Sequence, residues 1–255
     1  MSDYANMLAE YDITEEVMSN ISNRQAPVLS VHPTTVQVKE SRIHGKGMFS
    51  TVVIIDNSVI MPMSLNGIRT IAGKYTNHSN SPNCVPVLQT DGNVQMRAIR
   101  TIANGEELTV DYRKAIAIQR KSDIMILESR MLELPEALDF DEATAKFVEH
   151  FFAPGTYSRL MTIPADTCIV GKIHKFAHTT VLLAGTVLVK SEFMSEELTA
   201  PYIFTSDAET KRAMYAITDC QWLTIHPNVT NTKDLDILES ELIMPMYNFE
   251  QEICS

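Results

Sequence analysis

Residues 114–152, KAIAIQRKSDIMILESRMLELPEALDFDEATAKFVEHFF, contain no glycine and only one proline, at position 135. The stretch is rich in helix formers, so it predicts one helix before Pro135 and a second from about Asp141. On both sides the pattern changes to short runs of β-branched and aromatic residues separated by turn signals. A helical stretch between two β-patterned stretches predicts two β units joined by a helical linker, and a mainly β chain.

In the first half the β-type runs are TTVQVKES, GMFSTVVI, SVIMPM, VPVLQ, VQMRAIR and ELTVDY, divided by DNS, SNSPN, TDGN and ANGEE. Asp91-Gly92 within TDGN is a hairpin signal. In the second half YSRLMTI, CIVGKIHKF, TTVLLAGTVLVKS, YIFTS, RAMYAITD and QWLTIHP predict a sandwich or a small barrel, and DLDILESELI a short closing helix. Ahead of both, residues 3–23 predict one or two short helices, with a start at Asp12 and Thr14, and residues 24–33 an extended connector. The expected domains are 1–33, 34–113, 114–152 and 153–255.

Charge supports the division. The net charge is −11, yet residues 34–113 carry +2 and the remainder −13. An acidic chain is a poor general binder of nucleic acid. The four cysteines, at 84, 168, 220 and 254, form no CxxC pair and read as reduced thiols of a cytoplasmic protein. The opening MSDYANMLAEYDITEE is acidic, without the apolar core of a signal peptide, and no apolar run reaches membrane-spanning length, so no membrane partner is expected.

Three pieces of the first half stand out: Arg42-Ile-His-Gly-Lys-Gly-Met-Phe49, then Asn77-His78-Ser79 with Pro82-Asn83, then Gly105-Glu-Glu-Leu-Thr-Val-Asp111-Tyr112. In this order they resemble the SET domain of protein-lysine methyltransferases, in a minimal form like those of bacteria and viruses. The resemblance implies an S-adenosylmethionine pocket lined by Lys46, Gly47, Asn77 and His78. It implies a catalytic Tyr112, a structural Asp111, a protein substrate with a target lysine, and a pseudoknot formed by the N-H-S segment and the closing strand. Glu106 and Glu107 read as solvated turn residues. Between Ser50 and Asn77 the family's acidic Y-x-G-E-like stretch has no good equivalent, and no Cys-rich segment follows Tyr112.

In the second half, Gly171-Lys-Ile-His174-Lys-Phe-Ala-His178 followed by Gly185 resembles the first motif of the cupin barrel, with Lys172 where that motif's first histidine belongs. On a strand, His174 and His178 would face the same side. His226 shares the parity of Trp222 and Thr224 and would also point inward, and Tyr157 and Arg159 stand where they could line the mouth. Three imidazoles facing one interior suit zinc, iron or manganese. The expected fold is thus an N-terminal SET β-fold, a helical linker and a C-terminal cupin-like β-barrel. The barrel would bind a ligand or form a homodimer. Two other functions compete: a SET-fold module that binds protein without modifying it, and a metal-dependent cupin enzyme.

Overall fold

The structure, a computed structural model, describes residues 3–10, 28–31 and 33–244. The helix start expected at Asp12 and Thr14, and half of the 24–33 connector (residues 24–27 and 32), lie outside them. The described chain is mainly β and divides into two compact units between Ile126 and Leu127.

The first unit contains α1 (Asp3–Glu10), β1 (Val36–Glu40), β2 (Lys46–Ser50), β3 (Val59–Leu65), β4 (Ile68–Arg69), α2 (Ile71–Tyr75), β5 (Asn77–His78), β6 (Cys84–Leu88), β7 (Val94–Ala98) and β8 (Glu107–Val110); α3 (Tyr112–Leu132) begins in it. One sheet has the order β1-β2-β8-β5 and the other β4-β3-β7-β6. Strand β7 alternates, with Val94, Met96 and Ala98 buried and Gln95 and Arg97 between them, which gives the sheet one core face. Met48, Met96, Ile102, Leu108 and Val110 fill the core between the sheets. Each such side chain contributes about 1.5–3 kcal/mol when fully buried. The TDGN segment turns between β6 and β7, which pair antiparallel from Leu88↔Val94 onward.

The two-residue β5 runs parallel to β8, pairing Asn77↔Thr109 and His78↔Val110. So short a ladder cannot hold itself. Side chains from the following loop hold it instead, and this is how the N-H-S segment is threaded beside the closing strand.

Helix α3 occupies the first part of the Gly-free stretch as the composition predicts, and it begins at Tyr112, two residues before that stretch. Asp111 caps it: the Asp111 Oδ1 accepts from Arg113 N at 3.0 Å and its carbonyl accepts from Ala115 N at 3.0 Å. The second helix, α4 (Phe140–Phe147), starts with a capping box, Glu142 N donating to Asp139 Oδ1 at 2.9 Å and Asp139 N to Glu142 Oε2 at 3.2 Å. It ends sooner than expected. Residues 148–152 pair with a neighbour as a strand, and the alternating burial of VEHFFA explains why.

The second unit continues with β9 (Val148–Ala153), β10 (Gly155–Ile163), β11 (Cys168–Val170), β12 (His178–Ala184), β13 (Thr186–Ser191), β14 (Ser195–Thr199), β15 (Tyr202–Ser206), β16 (Arg212–Ala216), β17 (Cys220–Asn228) and α5 (Leu235–Leu242). The expected barrel-like unit takes the form of two antiparallel sheets, β15-β12-β17-β10-β9 and β11-β16-β13-β14, whose ladders do not close into one ring. Ile163, Leu182, Val187, Val189, Met214 and Trp222 form the core. Gly185 makes the tight β12–β13 turn at φ +88°, where a Cβ would lie 2.2 Å from Asp219 O. At one end of the unit, Leu238 and Leu242 of α5 pack on Tyr157.

Candidate functional site

In the first unit the polar loop is built into the interior. Asn77, Asn83 and His78 are all buried. The Asn77 Nδ2 lies 2.8 Å from Glu107 Oε1, 3.1 Å from Ser41 Oγ, and 3.2 Å from the carbonyls of both His44 and Lys46. One amide thus ties the turn before β2 to β8. Asn83 does the same at the other end, donating to Glu107 O at 2.8 Å and accepting from Thr109 N at 2.8 Å. Buried amides with this many partners fix backbone geometry.

Gly47 is buried, and a Cβ there would lie 2.2 Å from Glu107 Oε1, so its missing side chain makes room for that carboxylate. Lys46 is exposed, and its carbonyl faces inward to Asn77. Glu106 and Glu107 are not solvated turn residues. Glu107 accepts from Ser41 Oγ at 2.7 Å as well as from Asn77. Glu106 accepts from Arg100 at 2.5 Å, Ala103 N at 2.9 Å and Asn83 at 3.0 Å, and the Arg100 hydrogen bond, above all, holds its carboxyl down to about 2. A Glu-Glu pair after Gly looks like a turn in sequence, and nothing local reveals the amides waiting for it.

Tyr112 stands at the start of α3 rather than on the closing strand. Its backbone N donates to His78 Nδ1 at 3.2 Å, its hydroxyl donates to Thr76 O at 3.1 Å, and its ring lies 5.4 Å from that of His78 and 6.0 Å from that of Tyr4. Because His78 Nδ1 is an acceptor, the proton of a neutral ring sits on Nε2. That Nε2 is buried and has no hydrogen-bond partner among the described residues. A buried donor without an acceptor costs about 1–3 kcal/mol.

In the second unit the five-stranded sheet turns one polar face inward. Across it run the register rows Phe152–Tyr157–His226 and His150–Arg159–Thr224–Thr180–Phe204. His226 therefore points inward, as its parity predicts. His178 opens β12, but His174 is not on a strand with it. The residues between β11 and β12 are irregular, and His174 is held by a bridge to Ile243, beyond α5. The two histidines converge because the end of α5 fastens that segment, not because of strand periodicity.

The ring centroids of His174, His178 and His226 lie 4.4, 4.5 and 4.8 Å apart, and one ligand nitrogen from each lies within 4.8 Å of the others. His178 Nδ1 is 3.3 Å from Phe176 O, which leaves Nε2 as the outward lone pair. The Nε2 atoms of His178 and His226, and Thr180 Oγ1, are buried without partners among the described residues. Burial, first, holds all three rings neutral: His174 is lowered to about 2, His226 to about 3 and His178 to about 4. Repulsion from neighbouring histidines adds to the effect at His174 and His226, and the charges of Arg212 and Arg159 add to it at His178. Neutral imidazoles with unshared lone pairs are the ligating form, so these residues fit a divalent metal. A tetrahedral metal at about 2.1 Å would want the nitrogens about 3.4 Å apart, a modest contraction.

Beside His174 and His226 lies a cavity of about 50 Å³, also lined by His150, Tyr157, Arg159 and Glu239. His150 Nδ1 and the Tyr157 hydroxyl share a hydrogen bond of 2.7 Å. The β9 residue His150 was hidden inside a stretch that reads as helix. Its alternation with Phe152 was the available signal.

Residues 11–113 match the family model for the SET domain, and the chain carries one. No curated protein sequence matches the chain. Solved structures similar to it include KdgF from Halomonas sp. (11% identity, 31% of this chain and 76% of that one, TM-score 0.29). A cupin superfamily protein from Desulfitobacterium hafniense (11%, 31% and 76%, TM-score 0.28) and the cupin domain of Cnp3 from Schizosaccharomyces pombe (13%, 34% and 67%, TM-score 0.29) are also among them. Among the described residues, no helix is long and apolar enough to cross a membrane.

Proposed function

We propose that the first unit is a protein-lysine N-methyltransferase using S-adenosylmethionine, acting on a protein with an exposed target lysine. The observation that carries this reading is the meeting of Tyr112 with the buried, unpartnered Nε2 of His78 where β5 and β8 run parallel. The bound cofactor would supply the methyl group on its sulfonium. His78 would donate from Nε2 to an acceptor of the cofactor, satisfying the orphaned atom. Asn77 would act through the backbone: by holding the His44 and Lys46 carbonyls it fixes the Lys46–Gly47 segment against which the cofactor would lie. The Tyr112 hydroxyl, which donates to the Thr76 carbonyl, would orient the lysine amine, which must be neutral to react. A desolvating channel favours the neutral amine.

The test is transfer of labelled methyl from the cofactor to protein in a lysate. Tyr112→Phe should slow it about 100-fold with cofactor affinity unchanged. Cofactor binding without transfer to any lysine would leave a SET-fold binding module. An unimpaired Tyr112→Phe would remove the role of that hydroxyl.

The second unit we read as an accessory ligand-binding module that carries a zinc, iron or manganese ion on His174, His178 and His226 and also serves homodimerisation. The orphaned Nε2 atoms support the metal. Metal content of the purified protein, compared with His174→Ala, tests it; metal-dependent turnover of a small molecule would favour a cupin enzyme. The free thiols Cys84, Cys168 and Cys220 support a reducing, cytoplasmic location.

A further inference from the structure

We propose that α1 is a lid on the methyl-transfer site of the first unit, and that it lifts to let S-adenosylmethionine reach His78. This deepens the methyltransferase reading and rests on it.

The site is closed in this structure. The His78 side chain, whose Nε2 would meet the cofactor, is fully buried. A cofactor arriving from solvent touches that atom only if a neighbouring element moves. The Tyr112 ring lies 5.4 Å from that of His78, and Tyr4 of α1 meets Tyr112 edge-on at 6.0 Å. The Tyr4 ring also lies 5.8 Å from that of His44. Tyr4 thus reaches from the turn before β2 to Tyr112. In the proposed reaction the cofactor lies against the end of that turn, and the Tyr112 hydroxyl orients the lysine amine. The methyl group passes between those two groups, and the Tyr4 ring stands between them.

The other walls of the site are fastened to the core. The Asn77 amide holds the His44 and Lys46 carbonyls at 3.2 Å. Helix α3 is capped by Asp111 and is tied down by the buried Ser122, whose Oγ donates to Gly92 O at 2.6 Å. Helix α1 is built differently. It has eight residues, too few for a helix to be stable by itself. It docks by one face: Met7 is buried and Tyr4 and Leu8, three and four residues from their neighbours on that face, are half-buried, while Asn6 and Ala9 are exposed. The match to the SET domain begins at residue 11, directly after α1, so the helix is an addition to that domain seated on its candidate catalytic tyrosine. A short helix held by one apolar face opens as a unit. The apparent affinity for the cofactor is then the intrinsic affinity scaled by the fraction of molecules with the lid raised.

The probe is S-adenosylmethionine, titrated calorimetrically into the full chain and into Met7→Asp, which puts a charge at the buried anchor of α1. Met7→Asp should bind it at least about 10-fold more tightly than wild type. Tyr4→Ala should also bind more tightly, and Tyr4→Phe, which keeps the ring, should behave as wild type. Amide exchange of the wild-type chain is a second measurement that needs no variant: saturating cofactor should lower the protection of the α1 amides. Equal or weaker binding by both Met7→Asp and Tyr4→Ala overturns the proposal. So does a rise in α1 protection, which would make the helix a cover that closes over bound cofactor. Should Met7→Asp fail to fold, Tyr4→Ala and the exchange measurement decide. Wild-type binding with α1 protection unchanged refutes the lid and leaves the methyltransferase reading standing. Binding by Met7→Asp but not by wild type supports both. Absence of binding in every form removes the cofactor reading and the lid with it.

Discussion

Asn77 and His226 are both buried polar side chains near the centre of their units, and they are satisfied in opposite ways. Asn77 has four acceptors around one amide, all supplied by the chain. His226 has an Nε2 with no partner among the described residues, in the company of two other histidines. A buried polar group that the chain itself satisfies is part of a scaffold. One that it leaves unsatisfied is paid for elsewhere and marks where something from outside belongs. His78 shows both conditions in one ring, its Nδ1 satisfied by Tyr112 N and its Nε2 not.

The largest expected effect tests the scaffold side. Asn83→Ala would leave the Thr109 N–H and the Glu107 carbonyl buried without their partner, at a cost of about 2–4 kcal/mol. Amide exchange of β8 should report it as lost protection, and unchanged protection would place the clamp elsewhere.

Next comes the ligand that the other side lacks. Free zinc at about 100 times its dissociation constant should stabilise the second unit by about 2.7 kcal/mol. Trp222, the chain's one tryptophan, lies in that unit's core, so its fluorescence during unfolding reports there. His174→Ala should abolish the gain. Stabilisation that survives this change would put the metal on other residues.

Acid should separate the units further. The three histidines have folded values depressed from 6.5 to about 4, 3 and 2. An unfolded chain therefore takes up protons there before the folded one does. Their contribution to stability is complete above about pH 6.5 and is lost as pH falls through that value toward 4 and below. Glu106, depressed from 4.5 to about 2, places its loss in the first unit only between those values. Urea midpoints of metal-free protein measured from pH 7 to 4 should fall for Trp222 fluorescence before they fall for β8 exchange. Simultaneous loss would mean that the histidines protonate as readily folded as unfolded.

The smallest effect is the most telling. His226→Leu in metal-free protein should change stability by less than about 1 kcal/mol, or raise it, because it replaces an unsatisfied polar group by an apolar one of similar size. A loss as large as that of Asn83→Ala would show that His226 is scaffold after all.

Much of this was legible in the chain. The Gly-free stretch foretold α3 and α4, and the order of the three motifs foretold the SET domain. Parity alone turned His226 inward, since a strand's side chains alternate whatever their neighbours are. Local pattern failed where the deciding contact was distant. The exposed look of Glu106 and Glu107 hid two amides more than twenty residues away. The convergence of His174 with His178 depends on a bridge to Ile243, which no periodicity of residues 171–178 contains. Sequence by itself determined which segments would be helix or strand and which faces they would bury, because those follow from the preferences of neighbouring residues. Only the tertiary structure decided which polar atoms find partners and which are left waiting, because that depends on pairings between residues far apart in the chain.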